Sequence, residues 1–426
     1  NTVLFEKKDL GGVCLNEGCI PTKTLLYSAK IYDNAKDSSK YGIITNDVGF
    51  DFSKIMSRKN IVVKKLVSGV ASKMKKHNVK VVSEFAVIGE KGNGSITIMA
   101  GGNSYPCKNL LICTGSEAFL PPIKGLEPDK VMTNREILNI EKVPGSLTII
   151  GGGVIGMEFA SFFSSMGSQV TVIEMLDEIL TGMDKEMSVM LRKEFEKKGV
   201  KFHLQSKVTE IKGKEVIFEN DGNTGRVTSE EILVSVGRKP NIQGFGLEKL
   251  GVELLKGGIK IDEKCRTNIP NVYAAGDVTG FSLLAHTASR EAEVVINNLS
   301  GKRDNMRYKA IPAVVYTNPE ISGVGLTEEK ALEMGMEIQV KKLPMSYAGR
   351  FIAENEGKNG LCKIITDKRY GQILGVHMIG NPSSEIIYGA AMAVEMEMTL
   401  DEMEEIIFPH PTVSEIFREN TFAFKE

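Results

Sequence analysis

Apolar and polar positions along the chain fall into blocks that read in turn as strands and helices. Thr2 to Glu6 carries an apolar run that predicts a short strand, followed by a Gly11-Gly12 turn. A helix is predicted from Pro21, a residue favoured in a first helical turn, through Leu25, Leu26 and Ala29. Alternation between Val79 and Ile98 predicts antiparallel strands, and Asn109 to Ile112 is an apolar strand ending at Thr114-Gly115. Pro121-Pro122 and Pro144-Gly145 punctuate the chain as boundaries. Leu147 to Gly237 reads as a strand–helix–strand module, and Val272 to Asp277 returns to a strand followed by glycine. From about Tyr308 the texture changes. Strands at Ala313 to Tyr316, Leu361 to Thr366 and Ile373 to Ile379 precede helical stretches at Ser384 to Glu397 and Leu400 to Ile406. That order predicts a separate α+β domain.

Length and charge narrow the classes. A chain of 426 residues suggests two or three domains. Its 53 basic and 54 acidic residues are spread along it and leave a formal charge of −1, no electrostatic footprint for nucleic acid or an anionic membrane. No apolar run reaches the roughly 18 residues that a membrane helix needs. The first residue is Asn1 rather than methionine, so the natural N-terminus is expected to lie upstream.

The most ordered motif follows the buried run Leu147-Thr148-Ile149-Ile150. Gly151-Gly152-Gly153-Val154-Ile155-Gly156 comes next, then a helical pattern through Met157, Phe159 and Phe163, then a strand from Val170 to Ile173 ending at Glu174. Strand, glycine loop, helix and acid stand in the order of a dinucleotide fold. Gly151, Gly153 and Gly156 would let the backbone approach a pyrophosphate at a helix N-terminus, and Glu174 would accept from ribose hydroxyls. Met175 and Leu176 follow the acid, with no arginine for a 2′-phosphate, which favours NAD over NADP. A glycine-rich turn ahead of a core helix is the plainer alternative. Val3 to Asp9 echoes Thr171 to Asp177: each is an apolar run ending in Glu, with Asp three positions later. As an internal repeat, this makes Glu6 a second ribose acid whose glycine loop would precede the chain's first residue.

Of six cysteines, Cys107, Cys113, Cys265 and Cys362 stand alone, while Cys14 and Cys19 lie five apart. Five residues of straight helix rise about 7.5 Å, beyond the roughly 7 Å that a disulfide tolerates between Cα atoms. A bridge there needs a broken helix, and Gly18 ahead of Pro21 supplies a break. A helix starting beside Cys19 would favour its thiolate, with Lys23 on the same face. The pair reads as a redox site, with a structural bridge or two buried thiols as alternatives. No second Cys or His pair has the spacing of a zinc site, so no metal is expected.

Of the five histidines, His77 and His203 read as surface groups, His286 opens a helical stretch and His377 sits in a strand. His410 differs because Pro409 and Pro411 restrict the backbone on both sides. Thr412 and Glu415 ahead of a helix form a capping-box pattern, which alone would account for Glu415.

The segment Gly11-Gly12-Val13-Cys14-Leu15-Asn16-Glu17-Gly18-Cys19-Ile20-Pro21-Thr22-Lys23 resembles the redox signature of the pyridine nucleotide-disulfide oxidoreductases. Its Leu-Asn and Ile-Pro-Thr details are nearest to the dihydrolipoamide-oxidising branch. Thr114-Gly115-Ser116 resembles a flavin-domain turn of that family, with Cys113 where alanine is usual. Val236 to Asn241 is similar to the close of its NAD domain, and Thr267 to Asp277 with Leu284 to Ala288 to its second flavin motif. Tyr316 to Glu320 and His410 to Glu415 resemble its dimerisation signatures.

The resemblance implies an α/β chain of two Rossmann-like dinucleotide-binding domains, the first incomplete, plus a C-terminal α+β dimerisation domain. Residues 1–120 and 240–305 would bind FAD, without the N-terminal glycine loop. Residues 121–239 would bind NAD, and 306–426 would form the interface. FAD would be held by Glu6, Lys23, Thr114, Gly115, Asp277 and Ala285, and NAD by Gly151, Gly153, Gly156, Glu174 and Gly237. Cys14 and Cys19 would form a redox disulfide, Cys14 exchanging with substrate and Cys19 facing the flavin. His410, oriented by Glu415, would be the acid–base, and Lys23 would pair with Glu158 near the flavin. The implied reaction oxidises dihydrolipoamide on the lipoyl domains of 2-oxo acid dehydrogenase or glycine cleavage complexes, reducing NAD. The implied form is a homodimer sharing its sites, in the cytoplasm or the mitochondrial matrix of a eukaryote. A glutathione-type reductase and an inactive NAD-binding fragment without FAD are the competing readings.

Overall fold

The structure, a computed structural model, describes residues 1–91 and 95–425. Part of the strand pair expected between Val79 and Ile98, at 92–94, lies outside the described residues. The chain divides into two compact units. One comprises Asn1–Thr24, Met56–Phe119 and Gly237–Arg307, the other Leu25–Ile55, Leu120–Val236 and Tyr308–Glu426.

In the first unit, strand Val3–Phe5 runs parallel to Lys80–Val82, and Leu110–Ile112 runs parallel to Val272–Ala274. An antiparallel meander, Val87–Lys91, Ile96–Ala100 and Asn103–Cys107, stands beside them. Alternate residues Ile96, Ile98 and Ala100 are buried, and Ile96 and Ile98 meet Ile88, Ile112, Val272 and Val278 in one apolar core. The antiparallel expectation therefore applies to the meander and not to Lys80–Val82. That strand follows helix Phe52–Lys76, and a helical crossover returns the chain parallel to its starting strand.

Among the described residues the second unit holds three sheets, one of them the antiparallel meander Lys207–Lys212, Glu215–Asn220 and Asn223–Thr228. Four parallel strands stand in the order Lys201–His203, Gln169–Ile173, Ser146–Ile150 and Glu231–Val234. Both Leu147 and Ile149 are buried, as is Thr148 between them, the run expected of a strand covered on both faces. Helix Val154–Ser165 buries Phe159, Phe162 and Phe163. The third sheet is antiparallel, in the order Ala313–Val315, Ile321–Gly325, Ile373–Ile379, Leu361–Asp367 and Ile338–Pro344. Helix Ser383–Glu395 packs on it through Ile387, Ala390 and Val394. This is the α+β domain expected beyond Tyr308.

The echo between Val3–Asp9 and Thr171–Asp177 extends into three dimensions. Glu6 N–H bonds Val82 O at 3.1 Å, and Glu174 N–H bonds His203 O at 2.8 Å. Each acid turns back on its own chain, Glu6 Oε1 accepting from Lys8 N–H at 2.9 Å and Glu174 Oε1 from Leu176 N–H at 2.8 Å. Each partner strand follows a helix closed by a left-handed residue, Asn78 (φ 53°) after Phe52–Lys76 and Gly199 (φ 86°) after Lys185–Lys197. The closing amide bonds match as well, Val79 N–H to Met74 O and Val200 N–H to Phe195 O, both 3.0 Å. Each then leads into a three-stranded meander. The first and second units contain two copies of one supersecondary plan.

Helix Lys185–Lys197 is capped by Asp184, whose Oδ1 accepts from Glu186 N–H at 3.1 Å. Asp184 Oδ2 meets Lys363 Nζ at 2.9 Å, and Glu328 Oε2 meets the same ammonium at 2.7 Å. Burial alone would lower the Lys363 pKa, but its bonds to Glu328 and Asp184 raise it above the ordinary lysine value. No helix among the described residues is long and apolar enough to cross a membrane. Because both charges are buried, Asp184→Ala is expected to destabilise the second unit by about 3–5 kcal/mol, read from chemical denaturation. A loss below about 1 kcal/mol would show that Glu328 and Glu186 satisfy Lys363 without Asp184.

Candidate active site

The cysteine segment folds as two helices with a break between them. Gly12–Asn16 is a single turn, and Cys19–Lys36 begins at the second cysteine, two residues ahead of the expected start at Pro21. Proline is accommodated there because first-turn amides have no intrahelical acceptor. Glu17 closes the first turn, its N–H bonding Val13 O at 2.8 Å. At Gly18 a Cβ would stand 3.0 Å from that same carbonyl oxygen, so the sharp reversal favours glycine. Asn16 Nδ2 ties the turn down through Leu10 O at 3.1 Å and Gly12 O at 2.9 Å.

The break brings the two sulfurs together. Cys14 and Cys19 are both free thiols whose side chains share a hydrogen bond. That bond, followed by burial, raises the Cys14 pKa far above the usual thiol value, while Lys23 pulls it the other way. Cys19 stands at the start of the second helix.

In the second unit, helix Val154–Ser165 starts at Gly153, which offers no side-chain cap. Its first amides are thus available to an anion. A Cβ on Gly156 would lie 2.3 Å from Gly151 O and 2.8 Å from Ser235 Oγ, so the helix packs against the loop only because side chain is absent there. Glu174 spans the loop's mouth: Oε2 accepts from Gly152 N–H at 2.5 Å and Oε1 from Leu176 N–H. Each oxygen keeps lone-pair capacity for a ribose hydroxyl. Gly237, φ 118°, follows the parallel strand Glu231–Val234. Glycine cradle, free helix amides and anchored acid fit a dinucleotide.

The first unit repeats the donor set. Glu6 holds the Glu174 position of the repeat. Gly115 has φ 69°, and Thr114 is clamped to Asn241 by Thr114 Oγ1 to Asn241 O at 2.7 Å and Asn241 Nδ2 to Thr114 O at 3.0 Å. Asp277 opens a short 3-10 turn after Gly276. Ala285 is the first residue of helix Ala285–Leu299, which lacks a side-chain cap. These groups fit a second dinucleotide, here FAD. Contacts that sequence reasoning missed brace them. Ser116 Oγ donates to Asp277 Oδ2 at 2.5 Å, Arg238 Nε donates to Ser116 Oγ at 2.7 Å, and buried Glu291 accepts from Gly276 N–H at 2.6 Å. The partners in the first two pairs stand 161 and 122 positions apart, and Glu291 lies 15 beyond Gly276, so no local pattern signals them.

In the second unit, His410 Nδ1 lies 2.9 Å from Glu415 Oε1, and Glu415 Oε2 accepts from Thr412 N–H at 2.8 Å. One carboxylate therefore serves both jobs that the pattern allowed. The other half of the capping box is missing: helix Glu415–Phe422 starts after Ser414, and Thr412 Oγ1 donates to Pro409 O. The Thr412 amide and His410 together hold the Glu415 pKa below the ordinary carboxylate value. The His410 ring is 81% exposed, which leaves its Nε2 edge open to a reactant. Glu158, 3% exposed on helix Val154–Ser165, accepts from Tyr316 N–H at 3.1 Å. His377 is buried as a strand residue, Nε2 on Leu326 O at 3.0 Å. His203 departs from its surface expectation: it is half-buried against Phe218, 4.7 Å between ring centres, and burial lowers its pKa.

Residues 1–292 match the family described as pyridine nucleotide-disulphide oxidoreductase, and residues 311–421 match that family's dimerisation domain. The chain belongs to this family and is an NAD-dependent flavin disulfide oxidoreductase. Among similar proteins are dihydrolipoyl dehydrogenases of Geobacillus stearothermophilus and Thermus scotoductus. They are 36% and 38% identical, over 98% and 96% of this chain and 89% of each relative. The mitochondrial dihydrolipoyl dehydrogenase of Cricetulus griseus is 36% identical over 99% of this chain and 85% of its own length. Among solved structures, the HOCl-induced flavoprotein disulfide reductase RclA of Escherichia coli is 28% identical with a TM-score of 0.85, covering 99% of this chain and 93% of its own. LpdA of Mycobacterium tuberculosis shares the fold, with a TM-score of 0.90, 23% identity, and coverage of 100% and 94%.

Because Gly156 admits no side chain, Gly156→Ala should raise the NAD dissociation constant at least about tenfold by calorimetry, one hydrogen-bonded phosphate contact or more. An unchanged constant would place NAD elsewhere.

Proposed function

We propose that this chain is a dihydrolipoamide dehydrogenase, oxidising the dithiol of a protein-bound dihydrolipoyl group and reducing NAD. The observation that carries the reading is the Cys14–Cys19 pair, two hydrogen-bonded thiols across a helix break, with the second at a helix N-terminus. The 36–38% identity to dihydrolipoyl dehydrogenases supports it, against 28% to RclA. On this reading residues 1–120 with 240–305 would bind FAD, 121–239 would bind NAD, and 306–426 would form the interface.

The residues divide the work as follows. Glu415 accepts from His410 Nδ1–H and so fixes the tautomer whose Nε2 accepts a proton. Nε2 takes that proton from a substrate thiol, and the resulting thiolate attacks the Cys14–Cys19 disulfide at Cys14. The S–S bond breaks, a substrate–Cys14 disulfide forms, and Cys19 leaves as a thiolate stabilised by its helix. The remaining substrate thiol gives up its proton to solvent and attacks the mixed disulfide, releasing the cyclic disulfide product and Cys14, to which His410 returns the proton it took. FAD, when bound, carries the electron pair from the dithiol to NAD, which accepts it as hydride. Glu6, Lys23, Thr114, Gly115, Asp277 and Ala285 would hold FAD. Gly151, Gly153, Gly156, Glu174 and Gly237 would hold NAD, and Glu158 would support Lys23. Glu174, without a following arginine, favours NAD over NADP.

The working unit is a homodimer in which His410 of one copy serves the cysteines of the other, and its carrier partners are lipoyl domains of 2-oxo acid dehydrogenase or glycine cleavage complexes. A cytoplasmic location, or the mitochondrial matrix in a eukaryote, follows from those partners. Dihydrolipoamide should be oxidised with NAD, and glutathione disulfide should not be reduced with NADPH. Cys14→Ser and His410→Ala subunits, each inactive, should regain about a quarter of wild-type activity when mixed, since half the dimers would then hold one intact site of two. No recovery would rule out sites shared between copies, and glutathione reduction would rule out the substrate.

A further inference from the structure

Asp277 is held by two side chains brought in from separate stretches of the first unit. Strand Arg238–Pro240 pairs antiparallel with Ser116–Ala118, which sets Arg238 beside Ser116. Arg238 Nε donates to Ser116 Oγ at 2.7 Å, and Arg238 Nη2 donates to Ser116 O at 2.7 Å. Ser116 Oγ lies 2.5 Å from Asp277 Oδ2, and Arg238 Nε stands 4.0 Å from the same oxygen. Ser116 is 2% exposed, and the Arg238 side chain 10%.

The chemistry of the three groups leaves one arrangement of protons. A guanidinium has no acceptor, so its Nε–H must donate to the serine oxygen. An ionised carboxylate has no proton to give, so the single hydroxyl proton of Ser116 must go to Asp277. The rotor is therefore fixed, Oδ2 is committed, and Oδ1 accepts no bond from another described residue. That oxygen remains for a ligand hydroxyl.

We propose that Ser116 and Arg238 are positioning residues for the flavin cofactor, aiming Asp277 Oδ1 at a hydroxyl of the FAD ribitol chain. The proposal rests on the reading of Asp277 as an FAD ligand and adds a specific route by which Ser116 and Arg238 set its affinity. A role confined to folding would act whether or not Asp277 is present. A positioning role requires it.

The test is a double-mutant cycle on protein stripped of FAD, titrated with FAD and read by quenching of flavin fluorescence. Ser116→Ala and Asp277→Ala should each weaken FAD binding about ten- to a hundredfold, the range of a lost charge-assisted hydrogen bond. Adding Ser116→Ala to Asp277→Ala should cost less than about a further twofold. Arg238→Lys keeps the charge but not the two-point fork, and should weaken FAD as Ser116→Ala does. It supplies the same test should the Ser116 variant fail to fold. An equal penalty for Ser116→Ala with and without Asp277 would overturn the proposal, as would full FAD affinity in both Ser116→Ala and Arg238→Lys. Full affinity in Asp277→Ala would instead remove Asp277 from the FAD site, and the proposal with it.

Discussion

The chemistry depends first on the helix break between Cys14 and Cys19. A continuous helix would hold these residues too far apart for sulfur–sulfur contact. Glu17 ends one turn and Gly18 reverses the chain, so Cys19 starts a new helix with its sulfur on Cys14. Under the proposed function, Cys14 would exchange with substrate and Cys19, at a helix terminus, would be the sulfur that leaves. The break would thus give two roles to chemically identical groups.

The fold supplies two versions of one strand–helix–strand plan, one in each unit. Glu6 and Glu174 each end a parallel strand, each bond the next strand's carbonyl through N–H, and each fold the carboxylate onto an amide two residues later. The acids are thus anchored before any ligand arrives, which lowers the ordering cost of binding. His410 is organised on the same principle, since Glu415 is itself fixed by the Thr412 amide and can hold the imidazole in one tautomer.

What the sequence revealed follows from how local each feature is. Cys14 to Lys23 and Gly151 to Glu174 were legible because their chemistry resides in consecutive residues and a fixed period. Glu415 was legible with two competing roles, and its carboxylate bonds both the His410 ring and the Thr412 amide. The direction of Lys80–Val82 was misread because the helix Phe52–Lys76, a strongly basic stretch with a weak apolar stripe, was not recognised as a crossover. The Arg238–Ser116–Asp277 set was invisible for a different reason: its members are joined only by the folding of strands distant in the chain. His203 looked polar by its neighbours in sequence, yet Phe218 across the fold covers it.

The most direct measurement is an anaerobic visible spectrum of the purified protein, taken before and after one equivalent of dihydrolipoamide and again after NAD. The account predicts a flavin spectrum, then a long-wavelength band from Cys19 thiolate beside the flavin, then recovery of the starting spectrum as NADH appears. A protein that shows flavin absorbance but no change on adding dihydrolipoamide would contradict the assignment of Cys14 and Cys19 as the dithiol-accepting pair.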